Sequence, residues 1–191
     1  MNESGDWRSR RWDATHQRIY DVALKLFQEQ GFERVSVGQI AAAAAVSVPT
    51  FYAHYPSKEH IVMQLPTAED IGALLATQPA DLPVGERFRR AAPAWMAQWT
   101  PEVMKGELVR WRIIATTPGL RTRAAEFERA TAGMFADALP ARESGIRPQD
   151  AAVVNAYMAA FTAGVLAWAD GNGERKIEEH ILEAFDALEG R

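Results

Sequence analysis

The 191-residue chain contains no cysteine, which removes thiolate nucleophiles, iron–sulfur clusters and nearly every structural zinc site. Its four histidines, His16, His54, His60 and His180, stand at no ligand spacing such as HExxH, so the sequence predicts neither a metal nor a cofactor. A glycine-rich phosphate loop and a nucleophile elbow are both missing, and nothing speaks for an enzyme. No segment alternates with period two over a strand length, which leaves no sheet to expect. The opening MNESGDWRSRRWD lacks the apolar core of a secretory signal, and the expected location is the cytoplasm. A dominant charge is lacking too. The net charge is −4, with 7 Lys+Arg against 7 Asp+Glu in residues 1–64 and 14 against 18 in residues 65–191. Only Arg8, Arg10, Arg11 and Arg18, opposed by Asp13, make a local positive stretch.

What is present is a globular composition, 48% hydrophobic and 24% charged, in a chain long enough to bury about 70% of its unfolded surface without a staple. Ile19, Val22, Ala23, Leu26 and Phe27 recur at i, i+3, i+4, i+7 and i+8, so residues 13–30 read as an amphipathic helix that Gly31 stops. Ser36 followed by Gln39 is a capping box and opens a short helix ending near Ala44. Ser47 with Pro49 opens another, to about His54, and Pro56 with Ser57 opens a fourth over residues 58–65. Gly and Pro punctuation then divides the remainder into helices near 67–78, 84–99, 101–116, 118–138, 148–169 and 174–188. Residues 151–169 carry no charge and have the length to cross a bilayer. Asn155, Thr162 and the alanines weaken that reading, and a helix buried in a bundle or between subunits is the simpler expectation.

Residues 36–55 thus hold a short helix, a tight turn and a second short helix, with a longer helix before them that can pack across both. This is helix-turn-helix spacing, in which the last helix can enter a major groove while the one before it crosses the backbone. Thr50, Tyr52 and His54 on that helix, and Lys58 just beyond, suit phosphate oxygens. Spacing alone equally fits an ordinary helical hairpin with a polar surface.

The run RIYDVALKLFQEQGFERVSVGQIAAAAAVSVPTFYAHYPSKEHIV, residues 18–62, resembles the DNA-binding domain of the TetR family of transcriptional regulators. The match rests on Ala23, Leu26, Phe27, Gly31, Phe32, Ser36, Ile40, Ala41, Ala44, Val46, Ser47, Thr50, Tyr52, Tyr55, Ser57 and Lys58 at ungapped spacing. The resemblance implies an all-α protein: a three-helix helix-turn-helix domain over residues 1–64, with an arm at 1–12 and the motif at 36–55, then a helical bundle over 65–191 for ligand binding and dimerisation. It implies base contacts by Val48 and Pro49, phosphate contacts by Thr50, Tyr52, His54 and Lys58, and Ser36 and Ser47 at the two helix starts of the interface. Arg10 and Arg11 would reach the minor groove. Two positions depart from the family's pattern. Ala45 stands where the turn usually has Gly, and Gly38 where many members place a long polar side chain, so one common base contact is missing.

Residues 110–130, RWRIIATTPGLRTRAAEFERA, with the apolar helix after them and Trp168, resemble the subgroup with an acyl-CoA-like ligand-binding domain. Trp95, Met96, Trp99, Met104, Trp111, Phe127, Met134, Tyr157, Phe161 and Trp168 could line a cavity for an acyl-CoA-like, fatty-acid-like or aromatic effector, with Arg112, Thr116 and Asn155 as its polar handles. The same residues equally make a plain core. Ala152, Ala156, Ala160 and Gly164 form a row of small residues at every fourth position, expected with Ile177, Ile181, Phe185 and Leu188 of the last helix to meet a second subunit. The expected partners are therefore a double-stranded DNA operator, a small-molecule effector and a second copy of the chain, with no membrane. The expected function is a ligand-responsive regulator, a repressor by the family's habit. The competing function is a small-molecule-binding or enzymatic helical bundle that keeps the helix-turn-helix only as structure.

Overall fold

The structure is a computed structural model that describes residues 3–64, 66–139 and 147–190. The chain divides into two compact units, 1–64 and 65–191, which are taken in turn.

In the first unit α1 spans Glu3–Gln30 and Gly31, at φ 85°, stops it. A single 3-10 turn, Phe32–Arg34, leads to α2 (Val37–Ala43), α3 (Val48–His54) and α4 (Glu59–Val62). The chemistry at the helix ends is what the sequence spells. Ser36 and Gln39 form a reciprocal capping box on α2, and Ser47 accepts from the Thr50 amide at the start of α3. Between them the backbone makes a Schellman turn, with the Val46 amide on the Ala41 carbonyl and the Ala45 amide on the Ala42 carbonyl. Ala45 sits at φ 51°, the left-handed conformation that makes glycine the usual residue there. Arg18 holds the turn from α1, its Nε donating to the Ala44 carbonyl at 2.9 Å. The core of this unit is Ile19, Ala23, Phe27, Phe32, Val35, Ile40, Phe51, Tyr55, Ile61 and Val62, all buried.

The arm expected at 1–12 is corrected here: from Glu3 onward it is helix, continuous with α1. The apolar stripe begins only at Ile19, so periodicity could not register the earlier turns. Trp12 ties this stretch to the rest of the unit by packing on His54 of α3, with ring centroids 3.8 Å apart.

The second unit has α5 (Ala68–Ala76), α6 (Val84–Met96), α7 (Pro101–Thr116), α8 (Pro118–Ala138), α9 (Pro148–Asp170) and α10 (Ile177–Glu189). Proline takes the first turn of α7, α8 and α9, where its missing N–H is harmless. α9 is the hub, packed on α6, α7, α8 and α10. By length and composition it is apolar enough to cross a membrane, yet Val154, Tyr157, Met158, Val165 and Trp168 are buried against its neighbours. Phe88 of α6 meets Phe135 and Tyr157, and Tyr157 meets Phe185, with centroids 4.8 to 5.9 Å apart.

This packing corrects half of the expected dimer face. Ile177, Ile181 and Phe185 are buried in the chain's own core. Gly164 is buried as well, and a Cβ placed on it would lie 2.7 Å from the Ile181 Cα. The small residue thus lets α10 of the same chain approach α9. The apolar stripe of a terminal helix reads the same whether its partner is the same chain or another. Of the expected face, Ala152 and Leu188 are exposed and Ala156 and Ala160 half-buried.

Candidate nucleic-acid interface

The exposed end of α3 presents Val48, Pro49 and Tyr52, with Val48 41% and Tyr52 52% exposed. They stand out because the opposite side of α3 is pinned: Phe51 is fully buried, and Tyr55 donates to the His16 carbonyl of α1 at 3.3 Å. Burial pushes the Tyr55 hydroxyl far above its ordinary range. Tyr52 is braced edge-on against Phe51 at 5.5 Å. Residues with the right reach for a groove therefore sit on a short helix with little freedom to rotate.

Several expected contacts have other work. Ser36 and Ser47 spend their hydroxyls on capping, and the Ser47 hydroxyl also lies 2.7 Å from the Thr50 hydroxyl. Thr50 is only half-exposed. His54 is corrected from a phosphate ligand to a packing residue. Its ring lies under Trp12 and 5.7 Å from the His16 ring, and its enclosed Nδ1 has no hydrogen-bond partner. Lys58 is corrected likewise: its ammonium turns inward, donating to the carbonyls of Phe32 at 2.9 Å and Val35 at 3.1 Å and lying over the Phe32 ring. The Phe32 carbonyl already accepts the Val35 amide at 3.4 Å and takes Lys58 on its second lone pair, while the Val35 carbonyl lies just past the end of the 3-10 turn. Arg10 and Arg11 are exposed, with Arg8, on the helical start of α1. Gly38 is exposed with room beside it, since a Cβ would meet only the Ser36 hydroxyl, at 3.9 Å.

The expected effector lining is largely brought together. Met96, Tyr157 and Trp168 are buried in the core of the second unit, and Trp99, Met104, Trp111, Met134 and Phe161 pack half-buried against it. Phe127 is half-buried, while Trp95 is 41% exposed and edge-on to Trp99. Its three polar handles are corrected. Arg112, Thr116 and Asn155 are exposed, and Thr116 and Asn155 donate to the carbonyls of Arg112 and Ala151 one turn back. The residue that sequence reasoning missed is Arg87 of α6. It is 6% exposed, and its Nη2 donates to the Leu75 carbonyl at 2.8 Å. Its place one residue before Phe88 on the apolar stripe was the available signal.

With this geometry, residues 19–65 match the family described as bacterial regulatory proteins, tetR family. The helix-turn-helix of the first unit is thus similar to that of this family. Among relatives, the HTH-type transcriptional regulator TcmR of Streptomyces glaucescens is 30% identical over 145 residues, 71% of this chain and 63% of its own length. The HTH-type transcriptional regulator AcrR of Shigella flexneri is 41% identical over 51 residues, 27% of this chain and 24% of its own. The chain thus spans less than two thirds of either. Among solved structures, NalD of Pseudomonas aeruginosa, the secondary repressor of the MexAB-OprM multidrug efflux pump, aligns with a TM-score of 0.54 at 23% identity, covering 92% of this chain and 95% of NalD. A tetR-family regulator from Streptomyces coelicolor aligns at 0.51 and 18%, covering 93% and 80%. The likeness to these two structures establishes the all-α fold. The relatives carry the names of transcriptional regulators, not of enzymes.

Proposed function

We propose that the chain is a ligand-responsive transcriptional regulator, a repressor that binds a palindromic operator as a homodimer and leaves it when a small apolar or amphipathic effector enters the second unit. The observation that carries this reading is the recognition helix α3, capped at its start and pinned by Phe51 and Tyr55 while Val48, Pro49 and Tyr52 stand open. On this reading Val48 and Pro49 touch base edges, Tyr52 donates to a phosphate, and Arg10 and Arg11 add cations from the amino end of α1. Acyl-CoA-like, fatty-acid-like and aromatic compounds remain the proposed effector classes, and meeting an operator places the protein in the cytoplasm. The names of the relatives speak against a bundle that keeps the motif only as structure.

The test is fluorescence anisotropy with duplex DNA from upstream of the protein's own gene. Affinity should fall by roughly 10³-fold or more between 50 and 200 mM salt if several phosphates are contacted. Tyr52→Phe should weaken all sequences alike, and Val48→Ala should reorder the preference among operator variants. Binding that ignores salt, or an unchanged ranking for Val48→Ala, would remove DNA reading or the role of Val48 respectively.

A further inference from the structure

In the second unit two arginines of α6 lie close together but differ in how their charges are met. Arg89 has carboxylates to meet its charge: its guanidinium pairs with Asp186 at 2.6 Å and Glu189 at 3.7 Å, although its Nη1 makes no hydrogen bond, and the Tyr157 hydroxyl donates to Glu189. Arg87 is the more buried of the two and has no carboxylate partner among the described residues. One nitrogen donates to the Leu75 carbonyl near the end of α5, and its Nε is enclosed with no acceptor. A guanidinium has five donors and a permanent charge. A buried arginine is ordinarily paired, because an unmatched ion in a low dielectric is costly.

The helix-end reading of Arg87, as a cap for α5, accounts for one donor and for part of the charge, since carbonyls at a helix end carry a partial negative charge. It leaves Nε unexplained. The surroundings add a second positive contribution. Arg87 follows the first turn of α6, whose cap position is Pro83 with no side chain bonded to the amides. On the stripe beside Arg87 are Phe88 and Met96, and across from it are Ile71 and Leu75 of α5, all buried and apolar. A buried, unpaired cation at the edge of an apolar core has the complement of one class of molecule, an apolar body ending in a single negative group.

We infer that Arg87 is the binding residue for an apolar carboxylate in the second unit, taking the carboxylate through Nε and a terminal nitrogen, the side-on fork that suits that group. This deepens the proposed function by naming the charge of the effector, and it rests on the second unit being an effector domain.

The test uses the full chain and matched probes: decanoate against decanol, and 1-naphthoate against 1-naphthalenemethanol, titrated at pH 7 by intrinsic tryptophan fluorescence. The wild type should bind at least one acid tenfold or more tighter than its neutral partner. Arg87→Gln drops the charge while keeping a polar side chain, and should bring that ratio to within twofold. Arg87→Lys should retain a preference for the acid. No preference for the acid in either wild-type pair overturns the inference without need of a variant, and so does a tenfold preference that survives Arg87→Gln. Operator binding is measured in parallel. Salt-dependent DNA binding without acid preference sinks only this inference, whereas acid preference lost in Arg87→Gln without DNA binding sinks only the regulatory reading.

Discussion

Single side chains decide what the reading head can do, and two of them act against expectation for a shared reason. Long or aromatic polar residues can turn either way, and tertiary neighbours choose. Lys58 turns in because the carbonyls of Phe32 and Val35, at the two ends of the 3-10 turn, both lie within reach of its ammonium. Replacing it with methionine keeps the stem but removes both hydrogen bonds, so Lys58→Met should lower stability by about 1–3 kcal/mol. Urea unfolding of the variant checks this, and a stability within a few tenths of wild type would return Lys58 to the phosphate contacts. His54 and His16 turn toward each other. Burial lowers the pKa of both below the ordinary 6.5; on His54 the neighbouring His16 and Arg18 push the same way, while Asp13 partly offsets the shift on His16. The folded state therefore holds fewer protons than the unfolded chain once pH drops below about 6.5. Stability from this pair is complete above that pH and is lost as pH falls from there through the depressed folded values. Denaturation midpoints between pH 7.5 and 5.5 should show the decline, and Trp12→Ala, which uncovers His54, should make it shallower. A slope unchanged in Trp12→Ala and in His54→Gln would assign the pH dependence elsewhere.

Helix boundaries are legible wherever a cap writes itself into the sequence. Thr100 with Pro101 and Thr117 with Pro118 mark starts, and α7 and α8 run over the predicted residues. The capping box at Ser36 and Gln39 and the Ser47 cap are both formed. The polar first turns of α1 are not legible, since they depend on contacts made elsewhere in the fold, and α4, expected over 58–65, forms over the shorter span Glu59–Val62. Nor can a pattern say which helix a small residue serves. Its place in the small-residue row assigns Gly164 to another subunit, whereas it faces the backbone of Ile181 and His180. Backbone cannot yield as a side-chain tip does, so Gly164→Val must push α10 away from α9. The expected cost is of the order of 1–3 kcal/mol, the usual penalty of overpacking. Thermal or urea unfolding reads it, and a neutral Gly164→Val would mean that the two helices lie farther apart than described.

At the scale of the whole molecule the open question is what covers the remaining face of α9. Within the chain, α9 spends Val154, Tyr157, Val165 and Trp168 on its own core. Ala152, Ala159, Ala163 and Ala167 are exposed, with Ala156 half-buried between them. Those positions recur by threes and fours, so they form one continuous apolar strip along the helix. An uncharged strip of methyl groups gains little from water, and alanines let a second helix approach closely over its length. The proposed homodimer gives that strip a twofold copy of itself, while Ile177, Ile181 and Phe185 stay in each subunit's core. Ala163 tests this arrangement better than Ala160, because Ala160 also packs on the core. In Ala163→Arg a dimer would bring two unpaired cations together at its interface, a costly burial. The variant should sediment as a folded monomer and lose operator affinity by at least tenfold, since a palindrome read by one head forfeits the second half-site's contribution. Helicity and thermal unfolding of the monomer keep the outcome separate from misfolding. A folded Ala163→Arg that remains dimeric would move the interface off this strip, and a wild type that is monomeric at micromolar concentration would remove the dimer from the proposed function.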